Sequence, residues 1–267
     1  MDQNEIRKAN QKANRKALPK FLLVLGISLL IGGILGYASG RFRLDTLAEG
    51  LKRTGTFFGT RIAAWLMLAM AVVLPIVCGL IYRSGKKLLC RWDGEDEDLS
   101  NAIDRKNSVV LWISGTALIV SYFLIAASYS GGFATFDSTE STVLFSVGIA
   151  AFFAVMIETV VIQQKCVDAV KQINPEKKAS VYDMKFQKKW LEDCDEAEKI
   201  MIGKCAYKAY SATNTACAIL AVVLAVCALV FEIGFLPSFV VCLVWIVNQS
   251  AYCKEAMRYS KAGNRIS

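Results

Sequence analysis

Glu158 is the one acidic residue well inside an apolar run of this chain, about five residues from the run's end. Asn214 lies about four residues into a later run, and Asn248 and Gln249 lie in the last turn of the final one. A carboxyl at such a depth in a hydrocarbon layer costs several kcal/mol unless it is paired or protonated. These four side chains can share one polar layer, and two readings of it stay open. One is a proton- or cation-linked site in which Glu158 changes protonation. The other is a neutral Glu158 hydrogen-bonded to amides as glue between helices, shallow enough to snorkel.

Little other chemistry is spelled out. The chain of 267 residues has no histidine, which removes Ser-His-Asp and Cys-His arrangements, His-dependent zinc sites and His-containing intramembrane metalloproteases. Nine cysteines stand at 78, 90, 166, 194, 205, 217, 227, 242 and 253 without a C-x-x-C pair, and read as reduced packing residues. Gly79 to Lys87 has the wrong spacing for a phosphate loop. The acidic run Asp93-Gly-Glu-Asp-Glu-Asp98 misplaces the glycine and ligands of a calcium loop. No Ser, Lys or Tyr dyad is singled out by spacing. No catalytic residue, metal ligand or cofactor is expected.

The elements that must position Glu158 are apolar helices. With 55% apolar residues and a mean hydropathy of +0.41, the chain exceeds an ordinary soluble domain. Six stretches approach the thickness of a bilayer's hydrocarbon core: 21–40, 62–82, 109–130, 143–163, 210–229 and 235–251. The last two are so close, around Glu232 and Gly234, that they must form a tight hairpin. Of the 31 Lys and Arg, 26 fall on one side of this arrangement, which places both termini in the cytoplasm. Topology therefore absorbs the net charge of +8, and nucleic acid is not an expected partner.

Outside these stretches, Leu44, Leu47, Ala48 and Leu51 recur at helical spacing within the basic connector 41–61, the pattern of a short amphipathic helix on the outer surface. In segment 164–208, Ser180 and Asp183 resemble a capping box opening a helix at 181–183. Along that helix Phe186, Trp190, Cys194, Ala197 and Met201 mark one apolar face, and Asp195 and Lys199 form an i,i+4 pair. Nothing before Gly203 interrupts it, so it is expected to enter the next span as a stalk, with its face turned to the bilayer, another loop or another protein. Ser28, Gly32, Gly36 and Gly40 form a small-residue ladder for close helix packing, within the chain or with a second copy. Cys166-Val-Asp-Ala-Val-Lys171 and Cys253-Lys-Glu-Ala-Met-Arg258 hint at a repeat.

The stretch Asn174-Pro-Glu-Lys177, Ser180-Val-Tyr-Asp183, Lys185-Phe186, Lys189-Trp-Leu191, Cys194-Asp-Glu-Ala-Glu-Lys199 and Tyr207-Lys-Ala-Tyr210 resembles domain of unknown function 3169. That family comprises multispanning membrane proteins of Gram-positive bacteria, and the specific resemblance covers about 163–210. It implies a plasma-membrane protein without an established activity, and it carries over no catalytic residue.

The sequence thus predicts an all-α polytopic membrane protein with six transmembrane helices and an amphipathic helical cytoplasmic segment. Its parts are a basic tail (1–20), four spans with their loops (21–163), the cytoplasmic segment (164–208), a transmembrane hairpin (209–251) and a cytoplasmic tail (252–267). A non-enzymatic interaction or permease-like component is expected, in contact with the lipid bilayer. The alternative is a small autonomous transporter built on Glu158. A cytoplasmic or membrane protein partner and a homo-oligomer stay open.

Overall fold

The computed structural model describes residues 45–231 and 233–260, and ahead of them residues 18, 19, 22, 23, 26, 27, 30, 33, 34 and 37. All regular secondary structure among these is helical. The ten early residues are helical, but Ser28, Gly32, Gly36 and Gly40 lie outside the described residues, as do the Lys and Arg of the basic tail, Leu44 and Glu232. The chain forms two compact units, residues 51–203 and residues 1–50 with 204–267.

The first long helical stretch begins with α1 (Asp45–Phe57), passes through a π-helical turn (Phe58–Ile62) and continues as α2 (Ala63–Leu89). The basic connector is therefore not a separate surface helix, because no residue in it stops the helix. Within the π turn the backbone passes close to that of Ala127. A Cβ on Gly59 would run into the carbonyl oxygen of Ala127 and Ser130 Oγ, so only glycine lets the two backbones meet there.

Helices α2, α3 (Glu97–Ser128) and α4 (Thr139–Ile173) pack against one another as an up-down-up bundle. Its core has two clusters. Leu74, Cys78, Val110, Val155 and Cys166 make one, and Ala63, Met67, Leu124 and Ala151 the other. Along the same seam α3 presents buried Ser114, Ser121 and Ser128, small enough for close helix approach. Each hydroxyl donates to a carbonyl of its own helix: Leu111 at 3.2 Å, Leu118 at 2.7 Å and Leu124 at 2.9 Å. Gly148 on α4 faces Ala64 on α2 closely enough that an added Cβ would lie 3.3 Å from the alanine's.

The starts of α3 and α4 are capped by side chains. Asp96 accepts from the Leu99 N–H at 3.0 Å at the head of α3, and Ser138 accepts from the Ser141 N–H at 3.2 Å at the head of α4. Asp93 Oδ1 accepts from the N–H groups of Glu95 and Asp96 at 3.1 and 3.2 Å, with Gly94 at φ +98°. The acidic run is thus a turn that opens a helix. A 3-10 stretch, Tyr129–Phe136, links α3 to α4 and breaks direction at Gly132, φ +56°.

After Asn174 the chain turns through residues 174–185 before α5 (Phe186–Glu192), a break at 193–195, and α6 (Glu196–Phe231). Two expectations fail here. Helix does not begin at 181–183, because Asp183 Oδ1 accepts from the Lys185 N–H at 2.8 Å within a turn. The helix also stops before Ala197. Asp195 and Glu198 cap each other reciprocally, Glu198 N–H to Asp195 Oδ1 at 2.7 Å and Asp195 N–H to Glu198 Oε2 at 3.3 Å, and so start a new helix. Lys199 pairs with Glu196, at 3.3 Å, instead of Asp195. From there α6 does run unbroken past Gly203, as the stalk reading expects. Gly234, φ +72°, lies in the short turn before α7 (Leu236–Ser260).

Candidate functional site

In the unit of residues 51–203, Glu158 lies on the wall of a cavity of about 160 Å³ between α2 and α4. Pro75, Cys78, Gly79 and Tyr82 form one wall, and Glu158, Val161, Ile162 and Lys165 the other. Pro75 has no N–H to give to the preceding turn, and Gly79 has no side chain, so α2 presents a locally thin, polar-capable backbone face here. Glu158 Oε2 is buried and has no hydrogen-bond partner among the described residues. The neighbouring Thr159 Oγ1, and Asn107 Nδ2 on α3, share that condition. A carboxyl, a phenol and a lysine around one small cavity can exchange a proton or hold a small cation. Among the described residues no group of three His, Cys, Asp or Glu side chains could hold a metal.

In the other unit α6 and α7 are joined by polar side chains. Asn214 Oδ1 accepts from Trp245 Nε1 at 3.0 Å and from Asn248 Nδ2 at 3.1 Å. The Tyr210 hydroxyl donates to Gln249 Oε1 at 2.6 Å, and its ring stacks on Tyr252 at 4.4 Å between centroids. Asn214, Asn248 and Gln249 therefore form one clasp, whereas Glu158 belongs to the other unit. Sequence reading missed Tyr210 and Trp245, although both stand one turn before an amide already singled out.

The 164–208 segment is stitched to itself. Gln164 Oε1 accepts from Ser180 Oγ at 3.1 Å and from the Val181 N–H at 2.9 Å, and Asp193 Oδ2 from the Lys178 N–H at 2.8 Å. Lys177, buried, pairs with Glu198 and lies 4.7 Å from the centre of the Trp190 ring. Trp190 and Phe186 are half-buried, with rings 5.6 Å apart, and Cys194 is buried, its thiol donating to the Trp190 carbonyl at 3.1 Å. Burial pushes that thiol's pKa up, which keeps it protonated and unreactive. The bond from Lys189 and the Lys185 N–H hold the Asp183 carboxyl below the usual range. Ala197 and Met201 are exposed on a different helix, so the five-residue apolar face is divided.

All nine cysteines are free. The suspected repeat falls in unlike surroundings, with Cys166 in a core cluster and Cys253 exposed.

Among the described residues all regular structure is helical, and five helical stretches, Glu49–Leu89, Glu97–Phe133, Thr139–Ile173, Glu196–Ala228 and Leu236–Arg258, are long and apolar enough to cross a membrane. The chain belongs to the family of proteins of unknown function DUF3169, whose model matches residues 15–256. The match reaches far beyond the 163–210 stretch that carries the resemblance in the sequence. Neither a curated protein nor a solved structure matches the chain.

Proposed function

We propose that this chain is a permease-like component of a bacterial plasma membrane, with Glu158 as its proton- or cation-responsive group. The reading includes a sixth span at 21–40, both termini in the cytoplasm, and the 164–208 segment on the cytoplasmic side. One observation carries it: the buried Oε2 of Glu158, unpartnered among the described residues, on the wall of a cavity that also has Tyr82 and Lys165. A purely structural carboxyl at that depth would be expected to have its hydrogen bonds met. In the alternative role, glue to Asn214, Asn248 and Gln249, Glu158 would have to share amides already engaged, Asn214 by Trp245 and Asn248, and Gln249 by Tyr210.

The test is proton entry into proteoliposomes, followed with an enclosed pH-sensitive dye under a potassium diffusion potential. The wild-type chain is expected to admit protons, and Glu158→Gln to abolish that entry while Lys165→Met alters its pH dependence. Entry that survives Glu158→Gln with its pH dependence intact removes the reading.

A second reading, a non-enzymatic interaction component, is favoured by the exposure of Ile200 and Met201, 59% and 58%, on α6. Because Trp190 is engaged by Lys177, the substitution that addresses a partner face is Met201→Glu. It is expected to release a co-purifying protein without affecting membrane insertion. A partner held equally by the variant removes this reading.

A further inference from the structure

A groove of about 490 Å³ runs between α2 and α4 at their starts, and Arg61 and Glu140 form an ion pair across it. Both stand just ahead of the apolar runs of their helices, Ile62 onward and Val143 onward, so the pair lies where hydrocarbon would give way to headgroups. Below it the groove is apolar, with Trp65 and Leu68 on one side and Val143 and Val147 on the other. From Arg61 to Leu68 a helix rises about 10 Å at 1.5 Å per residue, a length that suits the first part of an acyl chain.

Arg61 is aimed at this groove by the backbone. It sits in the π-helical turn, where Gly59 presses against Ala127 and Ser130. The side chains of Arg61 and Glu140 are 44% and 73% exposed, and their mutual bond uses Arg61 Nη1 and Glu140 Oε1. The remaining guanidinium N–H groups can grip a phosphate in a forked geometry, and Oε2 can accept from an ammonium.

We propose that this groove is a binding site for one phospholipid with a phosphoethanolamine headgroup, its phosphate on Arg61, its ammonium on Glu140 and an acyl chain along Trp65 and Val147. The charge pattern selects among headgroups. A net-anionic headgroup without an ammonium places its charge beside the Glu140 carboxylate and gives it no partner. A phosphocholine has the positive charge but no N–H to donate. Phosphoethanolamine alone of the three satisfies both members of the pair.

The test is native mass spectrometry of the full chain, purified in mild detergent and exposed to equal mixtures of phosphatidylethanolamine, phosphatidylcholine and phosphatidylglycerol of matched chains. Charge-assisted hydrogen bonds predict preferential retention of one phosphatidylethanolamine by on the order of tenfold over phosphatidylcholine. Glu140→Gln is expected to erase that preference and raise phosphatidylglycerol retention, and Arg61→Ala to lower retention of all three. Equal retention of the three by the wild-type chain, or a preference for phosphatidylglycerol, overturns the proposal. So does a preference for phosphatidylethanolamine unchanged in Glu140→Gln. If Arg61→Ala does not fold, the wild-type competition and the near-isosteric Glu140→Gln still decide.

Discussion

The ammonium of Lys177 lies 4.7 Å from the centre of the Trp190 ring while it pairs with Glu198, so one buried cation ties the turn after α4 to α5 and to the head of α6. A lysine is tolerated there because both the carboxylate and the ring face offset the loss of water.

Removing that cation should therefore loosen the whole segment. Lys177→Met is expected to cost about 2 kcal/mol, combining a lost partly buried pair with a lost cation–π contact. Limited proteolysis should then cut within 174–195 much faster than in the wild-type chain. Trp190→Leu should give a smaller effect of the same kind, and unchanged protection in both would show that the cation is not what closes the segment.

Two of the three hydrogen bonds of the α6–α7 clasp share one acceptor, Asn214 Oδ1. Asn214→Leu orphans the donors of both Trp245 and Asn248 and is expected to lower stability by about 1 kcal/mol, the scale of interhelical hydrogen bonds in membranes. Thermal unfolding in detergent, read from tryptophan emission, measures it. Asn248→Leu, which leaves the Trp245 bond in place, should cost less.

Among the described glycines, Gly59 has the least room for a side chain. Gly59→Ala sets a Cβ against the Ala127 carbonyl, a backbone atom that cannot swing aside, and overpacking of this kind costs about 2 kcal/mol. Gly55→Ala, with nothing within 4 Å of an added Cβ, serves as the control and should be neutral or slightly stabilising.

Two turns should respond to acid. Backbone N–H groups of Glu95 and Asp96 hold the Asp93 carboxyl below the usual range, and Lys189 and the Lys185 N–H do the same for Asp183. A depressed carboxylate contributes stability above its unfolded pKa and loses it as pH falls through the folded one. Both turns are therefore expected to be intact at neutral pH and to open only below the normal Asp range. Amide chemical shifts of Glu95, Asp96 and Lys185 followed during acidification check this. Midpoints at or above the ordinary Asp value would contradict it.

The sequence reading located the later spans well, because long apolar runs leave few alternatives to a helix of bilayer length. Four of the five runs from 62–82 onward lie inside long helical stretches, and the fifth, 235–251, starts one residue before α7. The 164–208 segment was harder, since periodicity extends across a break as readily as along a helix. Phe186, Trp190, Cys194, Ala197 and Met201 keep helical spacing through 193–195 even though the chain stops and restarts there. The signal of that restart was present in Asp195-x-x-Glu198, itself a capping pattern, but the same Asp195 also fits an i,i+4 pair with Lys199. At the candidate site, Glu158 stood out by type alone. Its wall on α2, from Pro75 to Tyr82, could not be found without knowing which helices are neighbours. The same holds for Arg61 and Glu140, 79 residues apart in the chain.

The buried serines of α3 have a mechanical consequence. Ser114, Ser121 and Ser128 keep their hydrogen bonds within their own helix. Sliding or turning α3 against its neighbours would thus break none of these bonds, and the resistance it met at the seam would come from side-chain packing. Apart from the Lys106 Nζ to Ser84 Oγ bond that ties it to α2 at 3.0 Å, α3 meets its neighbours as a bearing surface rather than a bolted joint.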